Sequence, residues 1–354
     1  MTGVDIWTTQ FSIPQAQKET VLLPRLIDLV EHHREYCPPY ARFLRAINWR
    51  GKAFALEDIP YFPVGLFKTH ELRSISKKDV FRVLTSSGTT GQQVSRIALD
   101  KGAAALQIRA LSASMNRVLG SQRLPMLIID APGVVKQTAS FSARTAGVLG
   151  MMTFGRFHSF ALNDDMSLNN AEVTSFFERF GSTPFLIFGF TFMVWAYFFE
   201  QIKKFGIDMS SGILIHSGGW KKLQDKAVDN ATFKSSLRQS LGIERIYNFY
   251  GMVEQIGSVF LEGNDGYLHA PNFSEVIVRD PKTWQICAAG TTGVIQVLSV
   301  LPRSYPGHSL LTEDIGYWLP EVADAPWTGK RLVVLGRAPR AELRGCSDVH
   351  AAER

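Results

Sequence analysis

The sequence predicts an α/β protein with a largely parallel sheet, followed by an antiparallel β region. Up to about Tyr267, short apolar runs bounded by Pro, Gly or Asp alternate with helical patterns, which is typical of layered α/β folds. Beyond Tyr267, the runs EVIVRD, GVIQVLSV and KRLVVLG are separated by turn residues with no long helix between them. At 354 residues and 45% hydrophobic content, the chain can bury a large core.

Individual elements follow from the local patterns. Apolar residues spaced by three and four predict helices over Lys18–His33 and Ala103–Leu119, and helical stretches at AEVTSFFERF and FMVWAYFFEQIKKF. The predicted buried strands are PMLIID (125–130), FLIF (185–188), ILIH (213–216) and RIYNFY (245–250). The aromatic segment from Phe188 to Phe199 is dense enough to be plain core, and it could also wall an acyl tunnel.

The cysteine and apolar content indicate a cytoplasmic protein without a membrane span. Cys37, Cys287 and Cys346 are too few and too scattered for a disulfide framework, and the first residues lack the pattern of a signal peptide. The longest apolar stretch, Phe185–Phe199, is shorter than the ~20 residues that span a bilayer. We therefore expect a strand that continues into a helix there.

The charge pattern argues against a nucleic-acid-binding protein, and the spacing of Cys and His residues argues against a zinc site. A net charge of +6 suits anionic ligands, but no basic stripe with interleaved aromatics supports nucleic-acid binding. No Cys/His set has zinc-ligand spacing. The sequence leaves the oligomeric state open, a homo-oligomer included.

The stretch LTSSGTTGQQ (84–93) is a candidate phosphate-binding loop. Its glycines allow close backbone approach, and its hydroxyls lie beside backbone N–H groups that can hold phosphate oxygens. It is not a P-loop, because no Lys follows the second glycine. A plain surface loop is the alternative.

Three downstream motifs strengthen the nucleotide interpretation. In NFYGMVE, Tyr250 can stack on a flat ring and Glu254 can hold a divalent cation. In LTEDIG, Asp314 can accept hydrogen bonds from ribose hydroxyls. The glycines of HSGGW (216–220) leave room for a planar base. Alone, each motif is as compatible with an ordinary turn.

Taken in order, these motifs resemble those of the adenylate-forming superfamily of acyl-CoA ligases, luciferases and adenylation domains. The order is TSSGTTG (85–91), SGG (217–219), YGMVE (250–254), TED (312–314) and GRAPR (336–340). Within the superfamily, PVGLFK (63–68), FGFTFMVW (188–195), HSGGWKK (216–222) and RGC (344–346) look most like the LuxE-type acyl-protein synthetases.

The resemblance implies ATP and Mg²⁺ as cofactors and a carboxylic acid of the fatty-acid class as substrate. It implies that Glu254 binds the metal and is catalytic together with Thr89 and Cys346. The residues that it assigns to ATP are Thr85, Ser86, Ser87, Gly88, Thr89, Thr90 and Gly91 for the phosphates, Gly218 and Gly219 for the adenine, Tyr250 beside the adenine, Asp314 for the ribose, and Gly251 and Arg337 within the same motifs.

Two departures from the superfamily stand out. The usual Lys after the glycine-rich loop is missing, because Gln92 and Gln93 are followed by Val94 and Ser95. Only 354 − 336 = 18 residues follow Gly336, which is too short for the usual mobile C-terminal domain. We therefore expect an adenylate-forming domain over 1–335, β-rich from about 267, and a short C-terminal segment over 336–354.

The acyl acceptor is the remaining question at this stage. The resemblance implies transfer to Cys346 in ELRGCSD, where Arg344 could favour the thiolate, and then to a partner protein such as a reductase or carrier protein. One alternative is an acid–CoA or acid–carrier-protein ligase like phenylacetate–CoA ligase, with Cys346 as a bystander. Another is a degenerate nucleotide-binding scaffold. Cys37 and Cys287 are expected to be structural.

Overall fold

One large sheet runs through the molecule in a computed structural model that describes residues 4–86, 94–136, 143–220 and 227–338. The described strands are β1 (Phe62–Pro63), β2 (Arg82–Thr85), β3 (Arg96–Leu99), β4 (Leu124–Ile128), β5 (Gly155–Phe160), β6 (Phe185–Phe190), β7 (Gly212–Ser217), β8 (Arg245–Tyr250), β9 (Phe260–Glu262), β10 (Leu268–His269), β11 (Ser274–Arg279), β12 (Gly293–Ser299), β13 (Ser309–Leu319) and β14 (Arg331–Arg337). The strand order in the large sheet is β11-β12-β13-β14-β10-β9-β8-β7-β6-β4-β5, with β1 added beside β13, while β2 and β3 form a separate hairpin.

The helices in the described ranges lie mainly before and between the parallel strands. They are α1 (Gln15–Tyr36), α2 (Pro38–Ala46), α3 (Leu66–Thr69), α4 (Lys101–Leu119), α5 (Gly133–Lys136), α6 (Ala143–Met152), α7 (Asn170–Phe180), α8 (Thr191–Met193), α9 (Glu200–Ile202) and α10 (Asn230–Leu241). Residues Val194–Phe199 join α8 to α9 as a π-helical segment. Carboxylates cap two helices: Asp100 accepts from Ala103 N at the start of α4, and Asp229 accepts from Thr232 N at the start of α10.

Strands β4 to β8 form the predicted parallel half of the sheet. Adjacent strands in the order β5-β4-β6-β7-β8 are all parallel. Along β7, Leu214 packs in the core shared with α7 and α10, while Ile213 and Ile215 pack in the core shared with α4 and α6. Because both faces are buried, the strand is a continuous apolar run in sequence, which is why the pattern predicted it correctly.

The β-rich half is antiparallel, as the sequence predicts, but it is not a separate sheet. β8 pairs in parallel with β7 and antiparallel with β9, so the hydrogen-bonded ladder continues from one half into the other. The motif TED lies inside the eleven-residue strand β13, paired with β12 and β14, and is therefore not a turn. Within the motif, Asp314 is paired with Arg337 of β14, while the register with β12 is irregular opposite residues 312–314.

Helices α1 and α2 cover the antiparallel half. Leu22 and Leu26 of α1 and Tyr40 of α2 share one core with the strands. Lys18, 2% exposed, lies 3.5 Å from the fully buried Glu275 on β11, so a buried ion pair fastens α1 to the sheet. Truncating either partner would leave an unpaired buried charge, which costs several kcal/mol, about 3–5.

The described part of the chain contains no helix that is both long enough and apolar enough to cross a membrane. Cys37 and Cys287 are buried thiols, in keeping with a structural role. Burial raises the pKa of each thiol, which makes the thiolate less available.

Candidate functional site

The glycine-rich stretch connects the two strands of the β2–β3 hairpin. Thr85 pairs with Arg96, and one step further Ser86 N donates to Ser95 O at 3.2 Å while Ser95 N donates to Ser86 Oγ at 2.9 Å. The hairpin is therefore closed up to the point where the loop begins. The predicted phosphate residues Ser87, Gly88, Thr89, Thr90 and Gly91 lie outside the described residues.

The glycines predicted to face the adenine follow the carboxyl end of β7. In parallel sheets this edge is where ligands bind, and here the ends of β6 and β8 flank it, because Ser217 is paired with Phe190 and with Phe249. Gly218 has a φ of +84°, which favours glycine. Among the described residues, no atom lies within 4 Å of the position that a Cβ at Gly219 would take.

Tyr250, at the end of β8, is connected directly to Asp314 on β13. Its hydroxyl donates to Asp314 Oδ2 at 2.7 Å, and Asp314 N donates to Thr312 Oγ1 at 3.1 Å. Burial raises the pKa of Asp314, and the bond from Tyr250 opposes that rise. The two residues predicted to contact adenine and ribose are thus neighbours, although they are 64 positions apart in sequence.

Glu254 lies in the short 3₁₀ turn Val253–Gln255 that follows β8. It is 6% exposed, and burial raises the pKa of its carboxyl, with the Ser95 hydroxyl and then the Lys68 charge acting in the opposite direction. Within the described ranges Glu254 forms no salt bridge. In the described structure the carboxylate thus has no cation in direct contact, and the Lys68 charge acts on it only through space.

A buried carboxylate without a salt bridge is one group that could contribute to a magnesium site. Magnesium is usually held by one or two carboxylates together with substrate phosphates, rather than by a cage of protein ligands. Among the described residues no three His, Cys, Asp or Glu side chains form such a cage. Glu254 could serve as the single carboxylate, and the buried Ser95 hydroxyl, which lowers its pKa, lies beside it.

A chain of charged groups borders these residues. Lys68 Nζ, on α3, lies 3.2 Å from Oε1 and 3.3 Å from Oε2 of Glu313. Arg337 Nη1, at the end of β14, lies 3.7 Å from Glu313 Oε2, and Arg337 is the strand partner of Asp314. Glu313 thus holds two cations next to the residue predicted to bind ribose.

Sequence reasoning missed Lys68 as a site residue. It belongs to PVGLFK, which we used only as a family signature, and nothing in its local pattern points to a charge at the site. Its position depends on β1, which pairs in parallel with β13 and brings the start of α3 against Glu313. Only this long-range strand pairing reveals that a lysine lies near Glu254.

His216, on β7, directly precedes Ser217 and the glycines predicted to face the adenine. It is 2% exposed, and its Nδ1 shares a hydrogen bond of 2.9 Å with Thr191 Oγ1. Its Nε2 is buried without a partner among the described residues. Burial, with a smaller effect from the Lys234 charge, lowers the pKa of His216 to about 3, so the ring is neutral.

The family is settled by comparison with known proteins. Residues 6–353 match the family described as "Acyl-protein synthetase, LuxE". The chain belongs to this family. The resemblance stated from the motifs is therefore confirmed, and the acyl-protein synthetase match extends over nearly the whole sequence.

Two relatives of this acyl-protein synthetase family member carry the name long-chain-fatty-acid–luciferin-component ligase. The protein from Aliivibrio fischeri is 23% identical over 330 residues, which is 90% of this chain and 82% of that one. The protein from Vibrio harveyi is 25% identical over 350 residues, which is 94% of this chain and 88% of that one.

Among solved structures, the fold is similar to that of adenylate-forming ligases. One is 2-hydroxyisobutyryl-CoA ligase in a postadenylation state, with a TM-score of 0.68, 16% identity, and coverage of 92% of this chain and 69% of that chain. Another is ATP-bound MatB from Rhodopseudomonas palustris, with a TM-score of 0.50, 15% identity, and coverage of 75% and 49%. At these identities the likeness shows the fold, and the predicted adenylate-forming architecture is confirmed.

Proposed function

We propose that this chain is an ATP-dependent acyl-protein synthetase that activates a carboxylic acid as its acyl-adenylate and transfers the acyl group to a protein thiol. The observation that carries the proposal is the grouping of Tyr250, Glu254 and Asp314 at the carboxyl edge of the parallel strands, beside the glycine-rich hairpin. Membership of the acyl-protein synthetase family supports the same reaction. A fatty acid is the proposed substrate class because two relatives are named for long-chain fatty acids.

The reaction has two balanced steps. A carboxylate oxygen of the acid attacks the α-phosphorus of ATP, the bond to the β-phosphate oxygen breaks, and pyrophosphate leaves. A thiolate then attacks the acyl carbon, the bond to the phosphate oxygen of AMP breaks, and a thioester remains. Catalysis of the first step depends on positioning and on neutralising the phosphate charge.

Each site residue has a proposed task in the first step. Asp314 would accept hydrogen bonds from the ribose while Tyr250 fixes its carboxylate, and Gly219 leaves space for the adenine. Glu254 would hold Mg²⁺, which when bound supplies positive charge to the phosphate oxygens. Since the loop lacks the usual lysine, we include Lys68 as a cation for the phosphates, given its position on the Glu313 carboxylate.

The acceptor of the second step is proposed to be Cys346, followed by a partner protein. Cys346 lies outside the described residues, so its role rests on the family resemblance. Because Cys37 and Cys287 are buried with raised pKa values, they are poorer nucleophiles. A cytoplasmic location is proposed with this function, since free thiols persist in a reducing compartment.

The test uses the full chain with ATP, Mg²⁺ and a panel of radiolabelled fatty acids. We expect acid-dependent pyrophosphate exchange, and label on the protein that neutral hydroxylamine removes. Cys346→Ser should keep the exchange and lose the label, while Cys287→Ser should keep both. Exchange without protein label, together with efficient acylation of free CoA, would replace this proposal by an acid–CoA ligase. Absence of exchange with every acid would favour a nucleotide-binding scaffold.

A further inference from the structure

A cleft that contains none of the nucleotide motifs lies beside the C-terminal end of helix α2. It has a volume of about 390 Å³ and is bounded by the end of α2, by the segment leading into β1, and by the last residue of β11. Aromatic rings of Phe43, Trp49 and Tyr61 form its apolar wall, and Arg279 contributes the buried cation. This volume is within the range of small-molecule sites, roughly 300–1,000 Å³.

Arg279 is 6% exposed and is held in a fixed position. Its Nε donates to Gln296 Oε1 at 2.6 Å, Nη1 to Trp284 O at 3.1 Å and Nη2 to Glu57 O at 2.8 Å, and its guanidinium lies 4.4 Å from the centre of the Tyr61 ring. A guanidinium has five N–H donors, so these bonds leave two for another acceptor. The fork of donors is thus preorganised at the cleft.

All three acceptors of Arg279 are neutral oxygens. In the part of the chain that the structure describes, its guanidinium forms no ion pair with a carboxylate. Asp58, which also lines the cleft, uses Oδ2 to accept from Phe54 N at 2.8 Å and Ala55 N at 3.0 Å. Buried charges in proteins are normally paired, because an unpaired one retains a large desolvation cost. The carboxylates of Glu57 and Asp58 act on the Arg279 charge only through space, so the guanidinium itself could still pair with an anion.

A second unused donor lies in the same wall. Trp49 Nε1 is buried and has no hydrogen-bond partner among the described residues, although buried indole N–H groups usually have one. Two residues that line the cleft therefore have unused N–H donors among the described residues: the guanidinium of Arg279 and the indole of Trp49. The wall also carries apolar and aromatic side chains and the charged residues Arg50, Glu57 and Asp58.

We propose that this cleft binds a small monocarboxylate with a flat apolar body, whose carboxylate pairs with Arg279 and whose body packs against Phe43 and Trp49. A single negative charge is favoured over a phosphate dianion, because Glu57 and Asp58 also line the cleft and would repel the larger charge. Carboxylate geometry also matches two parallel donors of a guanidinium.

The experiment is calorimetric titration of the full chain, without ATP, with benzoate and with its neutral analogue benzamide. We expect one benzoate site and at least tenfold weaker binding of benzamide. Arg279→Gln should weaken benzoate binding tenfold or more, and Trp49→Phe, which keeps an aromatic ring and removes the N–H, should weaken it severalfold. Arg331→Gln is the matched control, because Arg331 also covers a tyrosine and donates to a backbone oxygen, but elsewhere.

Three outcomes would overturn the proposal. The first is no saturable benzoate binding at millimolar concentration. The second is benzamide binding as tightly as benzoate, which would remove the role of the charge. The third is benzoate binding that Arg279→Gln and Trp49→Phe leave unchanged, which would place the acid at another site. If circular dichroism shows that Arg279→Gln does not fold, the Trp49→Phe titration and the benzamide comparison decide. This site is independent of the proposed synthetase activity.

Discussion

The phenol of Tyr250 donates its proton to Asp314 Oδ2 across 2.7 Å, joining the last parallel strand to the longest antiparallel one. The tyrosine hydroxyl is therefore already engaged before any ligand arrives. Burial raises the pKa of Tyr250 well above its usual range, and the charge of Asp314 raises it further, so the phenol stays protonated. We therefore propose that Tyr250 orients the Asp314 carboxylate at the nucleotide site.

Removing this hydroxyl should impair nucleotide binding more than folding. In Tyr250→Phe, Asp314 loses its donor and a fixed orientation, and we expect the KM for ATP to rise about tenfold, since hydrogen bonds to charged groups are worth roughly 1.5–3 kcal/mol. Steady-state pyrophosphate exchange measures this. Asp314→Asn should give a larger increase. An unchanged KM in both variants would remove Asp314 from the ribose site.

Glu254→Gln should abolish acid-dependent pyrophosphate exchange while the protein still folds. The amide keeps the shape of the side chain and loses the charge that would hold Mg²⁺, so we expect a loss of at least about 100-fold. Burial raises the pKa of Glu254, so its carboxylate is protonated earlier as the pH is lowered. Exchange in the wild type should therefore begin to fall at a higher pH than it would with an exposed glutamate. Near-normal exchange in Glu254→Gln would contradict the metal assignment.

Lys68→Met should raise the KM for ATP and lower the exchange rate, and Lys68→Arg should restore part of both. The physical reason is that a cation near the phosphates offsets their charge in a partly buried site. The measurement is exchange over a range of ATP concentrations.

Glu313→Gln separates this role from simple ion pairing. If Lys68 serves only to hold Glu313, removing the carboxylate should reproduce the Lys68→Met defect. If Lys68 contacts phosphate, Glu313→Gln should retain most activity, because the lysine remains and loses only its competitor. Identical defects in both variants would count against a phosphate contact.

Acid should destabilise the fold through two buried histidines. Burial lowers the pKa of His308 to about 3, with the neighbouring His32 adding to the effect, and burial likewise lowers that of His216 to about 3. Unfolding returns each to about 6.5. Their contribution to stability is therefore complete above pH 6.5 and is lost as the pH falls towards 3, by up to ~1.4 kcal/mol per pH unit for each histidine.

Urea unfolding between pH 7 and pH 5 measures this dependence. His308→Gln keeps a hydrogen-bonding side chain for Tyr40 but cannot be protonated in this range, so its free energy of unfolding should fall less steeply with acid. His70→Gln, at an exposed position, is the matched control and should follow the wild type. Equal slopes in all three proteins would show that His308 is not a source of acid sensitivity.

Most of the fold could be predicted because its signals are local. β8 has the predicted bounds, and α1 and α4 contain the predicted helices, since buried strands and amphipathic helices carry their period in adjacent residues. The join of the two halves through β8 and β9 could not be predicted, because strand pairing depends on partners far apart in sequence. Strand β13 could not be predicted either, because the polar residues of TED interrupt its apolar pattern.

The residues of the candidate site could likewise be predicted where a local motif carries them, and not where their position depends on long-range packing. Tyr250, Glu254 and Asp314 were found from motif chemistry, and the structure brings them together. Lys68 was missed because its proximity depends on the pairing of β1 with β13. Arg279 was missed because an arginine at the end of an apolar strand looks like a solvent-facing residue, and only the packing shows that it is buried.

The unbroken ladder through β8 and β9 affects how this protein can be divided. The exposed turn at Asn264–Gly266 separates β9 from β10, which lie antiparallel to each other. Cleavage of the chain there would leave two fragments. Strand β9 would be at the edge of the first and β10 at the edge of the second, although the two strands pair with each other in the intact protein. Either piece expressed alone would present unpaired backbone groups and invite aggregation. The pair, expressed together, is a candidate for a split protein whose reassembly reports on contact between two fused domains.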